Sequence, residues 1–112
     1  MNIIQADTLK NLLLMKLEGN LSDEDTRHLS NQAVFEAKKL KRGFTIIEDV
    51  SQFSESSSSA KKDLHKTEYE ISKLGIGKMI RIVRDAPSNP PEYRVDCPVK
   101  EVRSMGEAVR LI

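Results

Sequence analysis

Residues 43–60, GFTIIEDVSQFSESSSSA, constrain the fold more than any other part of the sequence. The apolar, β-branched start at residues 44–47 predicts a buried strand, and the serines at 56–59 precede a helical pattern. The acidic pair Glu48-Asp49 is expected at or near the end of that strand. In α/β folds, ligands and modifications collect where the carboxyl ends of strands meet the amino ends of helices. This segment is therefore the first candidate for a functional surface.

The composition limits the chain to a modest aliphatic domain without a strong charge bias. The 112 residues fit one domain, which we expect to span residues 1–112. Hydrophobic residues make up 38% of the chain, yet aromatics make up 4% and Trp is absent, so the core is expected to be aliphatic. Lys and Arg total 18 against 17 Asp and Glu, a net charge of +1. Dedicated nucleic-acid binders usually carry a marked basic excess, so nucleic acid is not an expected partner.

The sequence shows no pattern that names a catalytic or metal site. The single cysteine, Cys97, cannot form an internal disulfide, which fits a reducing cytoplasm. His28 and His65 lie far from it in sequence and give no spacing typical of metal ligands. The glycines of Gly75-Ile-Gly77 close a predicted helix instead of opening one, so they do not predict a dinucleotide loop. We therefore expect no enzyme activity, no metal and no cofactor.

Targeting and membrane segments are also not expected. The first residues lack the basic start and long apolar core of a secretory signal. No apolar run approaches the roughly 18 residues that a membrane-spanning helix needs. The expected location is the cytoplasm, without membrane insertion.

The first half of the chain predicts a hairpin followed by a helix. Residues 3–4 and 12–17 predict two strands, and the apolar run 12–15 is typical of a strand covered on both faces. Ser22 and the acidic residues after it predict a helix start. The apolar face of this helix comprises Leu29, Ala33, Ala37 and Leu40, broadened by Val34 and Phe35. Basic residues at 38–42 are expected to fill its last turn, and Gly43 to end it.

The second half repeats the strand and helix pattern. A helix is predicted to begin among the serines, to carry Ala60, Leu64, Ile71 and Leu74 on one face, and to end at Gly75. A strand at 79–83 and a proline-rich loop at 85–91 follow. Residues 93–102 predict one more strand, which Pro98 interrupts and so places at a sheet edge. The capping-box pattern of Ser104 and Glu107 predicts a short final helix.

These elements follow the order ββαβαβ(β)α. Strand–helix–strand units of this length form right-handed parallel crossovers. The sequence therefore predicts an α/β fold with a small mixed, mostly parallel sheet of four to five strands and helices packed on it. The proline-interrupted strand leaves a sheet edge open, so a homodimer that pairs through this edge is a further expectation.

The serine cluster has two interpretations that both stay open. One is a flexible polar loop whose last members cap the helix. The other is a phosphorylation or anion site, because a phosphate at a helix amino terminus meets free N–H groups and the positive end of the dipole. Lys61 and Lys62 oppose the dipole of the first turn, and an anion there would explain their position. Arg81 and Arg84, at the exit of the following strand, either hold an acidic group at this same edge or are solvated.

The chain resembles the STAS superfamily, the anti-sigma factor antagonist-like domains. In that family a strand ends in Asp-Leu-Ser and, after a short loop, Asp-Ser-Ser-Gly opens a helix. Asp49-Val50-Ser51 matches the first motif, and residues 57–60 occupy the place of the second. The phosphorylatable serine of the family then falls on Ser58, whereas Ser57 and Ala60 replace the family's aspartate and glycine.

A second similarity covers nearly the whole chain in pattern. Residues 41–50, KRGFTIIEDV, and 74–83, LGIGKMIRIV, are similar to the divergent SpoIIAA-like branch, often described as STAS/SEC14-like. Members of that branch tend to end in a strand and a short helix, which residues 99–111 resemble.

The resemblance implies a bacterial, non-enzymatic regulatory domain that binds a protein partner through the loop of residues 51–62 and the following helix. Ser58, with its neighbours Ser57 and Ser59, is the implied switch position. The residues implied as a partner-binding or anion-binding loop are Asp49, Ser51, Ser56, Lys61 and Lys62. The alternative is a domain that binds a small apolar ligand or a nucleotide in a cavity between the sheet and the helices.

Overall fold

The computed structural model describes residues 2–53, 58–84 and 97–112. These residues form strands and helices in the predicted order. They are β1 (Ile3–Asp7), β2 (Leu12–Gly19), α1 (Asp23–Ala37), β3 (Phe44–Phe53), α2 (Ser58–Ser72), β4 (Ile76–Ile82), β5 (Val99–Val102) and α3 (Met105–Val109). The expected strand in residues 93–102 is therefore confirmed over its last four residues, and residues 93–96 lie outside the described part.

The sheet is mixed and mostly parallel, as predicted. Its strand order is β1-β2-β3-β4-β5. The short loop after β1 allows an antiparallel hairpin with β2, whereas α1 and α2 form the crossovers that make β2, β3 and β4 parallel. β5 pairs with β4 in parallel and lies at the outer edge, where the interrupted strand was expected.

The two faces of the sheet have separate apolar clusters. α1 and α2 cover the face that carries Leu13, Ile46 and Met79. The shorter α3 packs on the opposite face, where Ala108 contacts the cluster of Ile47 and Ile80. Because side chains alternate along a strand, the neighbours Ile46 and Ile47 enter different clusters. The core is almost wholly aliphatic, as expected from the composition, and Phe44 is its large aromatic member.

β3 is longer than the sequence pattern predicted. It continues to Phe53 because β2 pairs with it as far as the Gly19–Phe53 position. The expectation that Glu48-Asp49 end the strand is therefore wrong, since both residues lie in its middle. Both are buried, with 5% and 8% of their surface exposed. β4 also begins earlier than predicted, at Ile76.

α1 begins as predicted and ends earlier. Ser22 Oγ accepts a hydrogen bond from the Asp25 N–H in a complete capping box. The helix ends at Ala37, so the expected basic last turn is wrong and residues 38–42 form the connection to β3. Asn11 fixes this connection, because its side chain accepts from the Lys41 N–H at 2.8 Å and donates to the Lys41 carbonyl at 3.1 Å.

Phe35 was placed incorrectly on the apolar face of α1. Ala33 and Ala37 are buried and Val34 packs against the core, but Phe35 is 65% exposed. It lies on the outward side of the helix, where the Lys39 ammonium sits 4.8 Å from its ring centre. The apolar face of α1 is therefore narrower than the sequence predicted.

Side chains of α1 cover the free backbone edge of β1. Gln32 Nε2 donates to the Ile4 carbonyl at 3.2 Å. The Glu36 carboxylate pairs with Lys39 and accepts from the Ala6 N–H, and these contacts lower the pKa of Glu36 against the opposing effect of burial. Such cover discourages a second strand from pairing at β1. The expected homodimer concerns the opposite edge at β5, and it stays a prediction.

Glycines bring the amino ends of β3 and β4 into backbone contact. The Gly43 N–H donates to the Gly75 carbonyl at 2.6 Å, and both residues have left-handed φ angles, 91° and 96°. A Cβ atom on Gly77 would lie 2.4 Å from the Gly43 carbonyl oxygen. Gly75 and Gly77 thus have the structural role that their position after a helix predicted.

We expect Gly77→Ala to lower the free energy of unfolding by about 1–3 kcal/mol, because the added methyl group must displace the Gly43 backbone. Urea denaturation followed by circular dichroism measures the change. Gly106→Ala in α3 is the matched control, since its nearest heavy atom would be Ser104 Oγ at 3.8 Å and alanine favours helix. Equal effects of the two substitutions would contradict this account of Gly77.

Candidate functional site at the carboxyl edge of the sheet

The carboxyl ends of β2, β3 and β4 meet at one edge of the sheet because the three strands are parallel. β3 delivers the chain to this edge, and α2 begins at Ser58. Of the predicted loop residues, Asp49 and Ser51 lie in β3, and Lys62 is exposed on α2. Ser56 and Ser57 lie outside the described residues, as do the side chains of Ser58, Ser59 and Lys61. Their grouping into one site therefore stays a prediction.

Asp49 holds the backbone at the exit of β3. Its Oδ1 atom accepts from the Ser51 N–H at 3.1 Å and from Ser51 Oγ at 2.7 Å. Hydrogen bonds to a carboxylate are stronger than those between neutral groups. The buried carboxylate therefore fixes the backbone of Ser51, two residues before β3 ends at Phe53.

Arg84 reaches the same position from the end of β4. Its Nε atom donates to the Ser51 carbonyl at 3.0 Å, while the residue as a whole is exposed. Of the two open interpretations of Arg84, contact with the serine-loop edge is thus observed, although the contact is to a backbone oxygen. Ser51 is consequently held through its N–H, its hydroxyl and its carbonyl.

The other face of the sheet carries an internal ion pair. Arg81 Nη2 lies 3.8 Å from Glu48 Oε1, and the side chain of Glu48 is only 7% exposed. The two residues are partners in the β3–β4 register, and Glu101 of β5 is the next partner of Arg81. Of the two interpretations of Arg81, the one in which it holds an acidic group is therefore correct, and the acidic group is Glu48 of the same chain. As expected from strand alternation, Glu48 and Asp49 point to opposite faces.

Glu68 of α2 joins this ion pair from above the sheet. Burial and, to a smaller extent, the Glu48 carboxylate together raise the pKa of Glu68 to about 7, against the opposing effect of Arg81. This group of three side chains was not predicted from the sequence. A usable signal was present, because Glu48 and Arg81 follow Ile46 and Met79 at the two-residue spacing of a buried strand face.

A small cavity separates these carboxyl groups from the apolar core. Its volume is about 20 Å³, and Ser30, Thr67, Glu48 and Glu68 are the polar members of its lining. A space of this size holds about one water molecule, whereas pockets for small-molecule ligands usually measure a few hundred Å³. This cavity between the sheet and the two larger helices therefore has no room for such a ligand.

The outer face of α2 carries a stripe of exposed residues. Lys62, Lys66 and Tyr69 of α2 and Lys73, the residue after its end, recur at helical spacing, and all four are exposed. Lys73 Nζ lies 4.5 Å from the centre of the Tyr69 ring, a cation–π contact. We call these four residues the lysine–tyrosine stripe.

The described ranges contain neither a group of metal ligands nor a membrane-spanning helix. No group of three His, Cys, Asp or Glu side chains among these residues is placed to hold a metal ion. Within the same ranges, no helix has the length and apolar character needed to cross a membrane. Cys97 is half-buried and packs against the apolar cluster under α1 and α2.

The hydrogen bonds of Ser51 should be measurable as a coupling between two substitutions. We expect Asp49→Ala to cost about 1–3 kcal/mol, since it leaves the Ser51 N–H without its acceptor, and Ser51→Ala to cost about 1 kcal/mol. In the Asp49→Ala background, Ser51→Ala should cost almost nothing. Urea denaturation of the four proteins gives the coupling. Additive costs would show that the Asp49–Ser51 contact does not form in solution.

Comparisons with known proteins place the fold. No family model matches the chain, and no curated protein shows significant sequence similarity to it. The chain is similar to a solved structure of the anti-sigma factor antagonist SpoIIAA in its unphosphorylated form, with a TM-score of 0.64 and 16% sequence identity. The match covers 99% of this chain and 96% of the other. A structural match at such low sequence identity establishes the architecture and not the function. The chain therefore has the STAS/SpoIIAA-like fold that its sequence resemblance predicted.

Proposed function

We propose that this chain is a non-enzymatic regulatory domain that binds a protein partner through the loop of residues 51–62 and the outer face of α2. The solved structure that it resembles is that of an anti-sigma factor antagonist, which supports a regulatory, protein-binding role at the level of the fold. The same resemblance supports a non-enzymatic role, and as a STAS-like domain we place the protein in the bacterial cytoplasm.

The anchoring of Ser51 is the observation that carries the proposal. Asp49 holds this residue within β3, Arg84 holds it from just beyond the end of β4, and α2 starts at Ser58. The chain is thus held two residues before β3 ends at Phe53, near the carboxyl edge of the sheet, where α/β folds place their binding surfaces. A rigid base under a polar segment suits recognition by another protein.

The lysine–tyrosine stripe indicates the chemistry of the partner. Its three lysines are exposed on one side of the helix, and Lys66 also lines the groove towards α1 together with Asp63 and Glu70. Tyrosine is enriched in protein interfaces, and complementary charge guides association. We therefore propose that the partner presents an acidic surface.

Ser58 is the proposed switch position, with Ser57 and Ser59 as neighbours. A phosphate adds about 1.5 to 2 negative charges at neutral pH. Beside Lys61 and Lys62 it would neutralise part of the cationic surface and repel an acidic partner. In this proposal, phosphorylation therefore weakens binding, and Ser56 contributes to the loop without being the switch.

The alternative, a domain that binds a small apolar ligand or a nucleotide, receives no support from the described interior. The cavity between the sheet and the two larger helices measures about 20 Å³. A ligand in this place would require the helices to move away from the sheet. Binding on the outside of the molecule requires no such change.

The proposal can be tested with a partner identified by mass spectrometry after purification of the protein from its own cells. Isothermal titration calorimetry then gives the Kd for the wild type, for a variant with serines 56–59 changed to alanine, and for Lys66→Glu/Lys73→Glu. We expect each variant to raise the Kd about tenfold or more, because anchor residues of an interface each contribute more than about 1 kcal/mol.

Lys10→Glu/Lys100→Glu is the matched control, since it makes the same charge change at exposed residues outside α2 and the loop. Its Kd should stay within about twofold of the wild type. An equal rise in Kd for both lysine pairs would show that the stripe acts only through the overall charge of the protein. Unchanged binding by the serine variant would show that the loop is not part of the interface.

A further inference from the structure

A cluster of ionisable groups lies between α2 and the sheet. Glu48 is the most deeply buried member, with 5% of its surface exposed, and Arg81 Nη2 lies 3.8 Å from its carboxylate. Glu68 projects from α2 into the same place and lines the small cavity together with Glu48. The cluster lies on the face of the sheet that α1 and α2 cover, opposite the face of Asp49 and Ser51.

The charges of this cluster do not balance when every carboxyl is ionised. Glu48 and Glu68 contribute two negative charges against the single positive charge of Arg81. Glu101 of β5, the register partner of Arg81, adds a further carboxyl group beside Arg81. The other elements that line the cavity contribute no charged group among the described residues. They supply Met15 and Leu17 from β2, and Leu29, Ser30 and Ala33 from α1.

We propose that this cluster is a proton-sensitive latch for α2. When Glu68 is protonated, the helix packs closely on the sheet above Glu48 and Arg81. When Glu68 loses its proton, two carboxylates face each other in a poorly hydrated place, and α2 loosens so that water can reach Glu68. This inference goes beyond the proposed function, because it concerns how the position of α2 is controlled and requires no partner.

The sign of the pH dependence follows from linkage. Burial raises the pKa of Glu68 from 4.5 to about 7 when α2 is closed, and the ordinary value returns when the helix opens. Opening therefore releases a proton, so closure is strongest in acid and is lost progressively as the pH rises from 4.5 to about 7. With these two values, the opening constant rises about tenfold between roughly pH 6 and roughly pH 8.

The latch lies close to the proposed binding surface. Glu68 precedes Tyr69 of the lysine–tyrosine stripe, and α2 begins at Ser58. A helix that loosens at its middle changes the position of both features relative to the anchored Ser51. Deprotonation of one carboxyl would thus alter the surface that a partner meets.

Hydrogen exchange measured by mass spectrometry tests the latch directly. The measured segment is residues 62–72, compared at roughly pH 6 and roughly pH 8 after correction for intrinsic exchange rates, with β3 as an internal reference. In the wild type we expect the opening constant of α2 to rise about tenfold, while β3 stays constant. Glu68→Gln, which cannot ionise, should abolish the rise.

Glu70→Gln is the matched control, because Glu70 is exposed on the same helix and should leave the rise intact. A wild-type helix with no pH dependence, or the same dependence in Glu68→Gln, would overturn the proposal. Carbon-detected NMR titration of the wild-type glutamate carboxyls keeps the proposal testable if Glu68→Gln fails to fold. A Glu68 midpoint near 7 supports the latch, and a midpoint near 4.5 overturns it.

Discussion

The pairing of β3 with a parallel strand on each side is the constraint on which the rest of the structure depends. β4 pairs with β3 from Phe44 to Asp49 and β2 pairs with it from Thr45 to Phe53, and this register sends Glu48 under α2 and Asp49 to the opposite face. A slip of one residue would exchange these two carboxylates and place Ile46 and Ile47 in the wrong apolar clusters. The positions of the buried acid, of the anchor for Ser51 and of both halves of the core are therefore set together.

The carboxyl end of β3 serves two tasks on its two faces. On one face, Asp49 binds Ser51, two residues before β3 ends at Phe53, and Arg84 binds the Ser51 carbonyl. On the other face, Glu48 and Arg81 lie beneath Glu68 of α2. The last residues of β3 are thus held by hydrogen bonds to charged side chains, and the packing of α2 includes a carboxyl group whose pKa burial raises to about 7. This arrangement makes α2 the element through which a modification, a partner or a proton can act on the same surface.

Much of the fold could be predicted from the sequence, because its main elements carry strong local patterns. The hairpin, the Ser22 capping box, the left-handed glycines and the edge strand at Pro98 all follow from backbone requirements that few residue types satisfy. The misplaced features depend on tertiary contacts. β3 passes its acidic pair because β2 supplies hydrogen bonds as far as Gly19, and α1 stops at Ala37, before the connection in which Asn11 binds the backbone of Lys41. Phe35 was assigned to the apolar face because of its residue type, yet its position on α1 faces solvent. The cluster around Glu68 was missed because three residues distant in sequence meet only after the sheet and α2 are assembled.

The central claim is that this protein works through its exterior, and native mass spectrometry of the protein purified from its own cells tests it most directly. The account predicts a complex with a protein partner, and a chain that carries no small molecule once the partner has dissociated. The reason is that the described interior between the sheet and the larger helices offers about 20 Å³. A small molecule retained by the folded chain at one copy per protein would contradict the account, because it would require a cavity that the packing of α1 and α2 on the sheet does not provide.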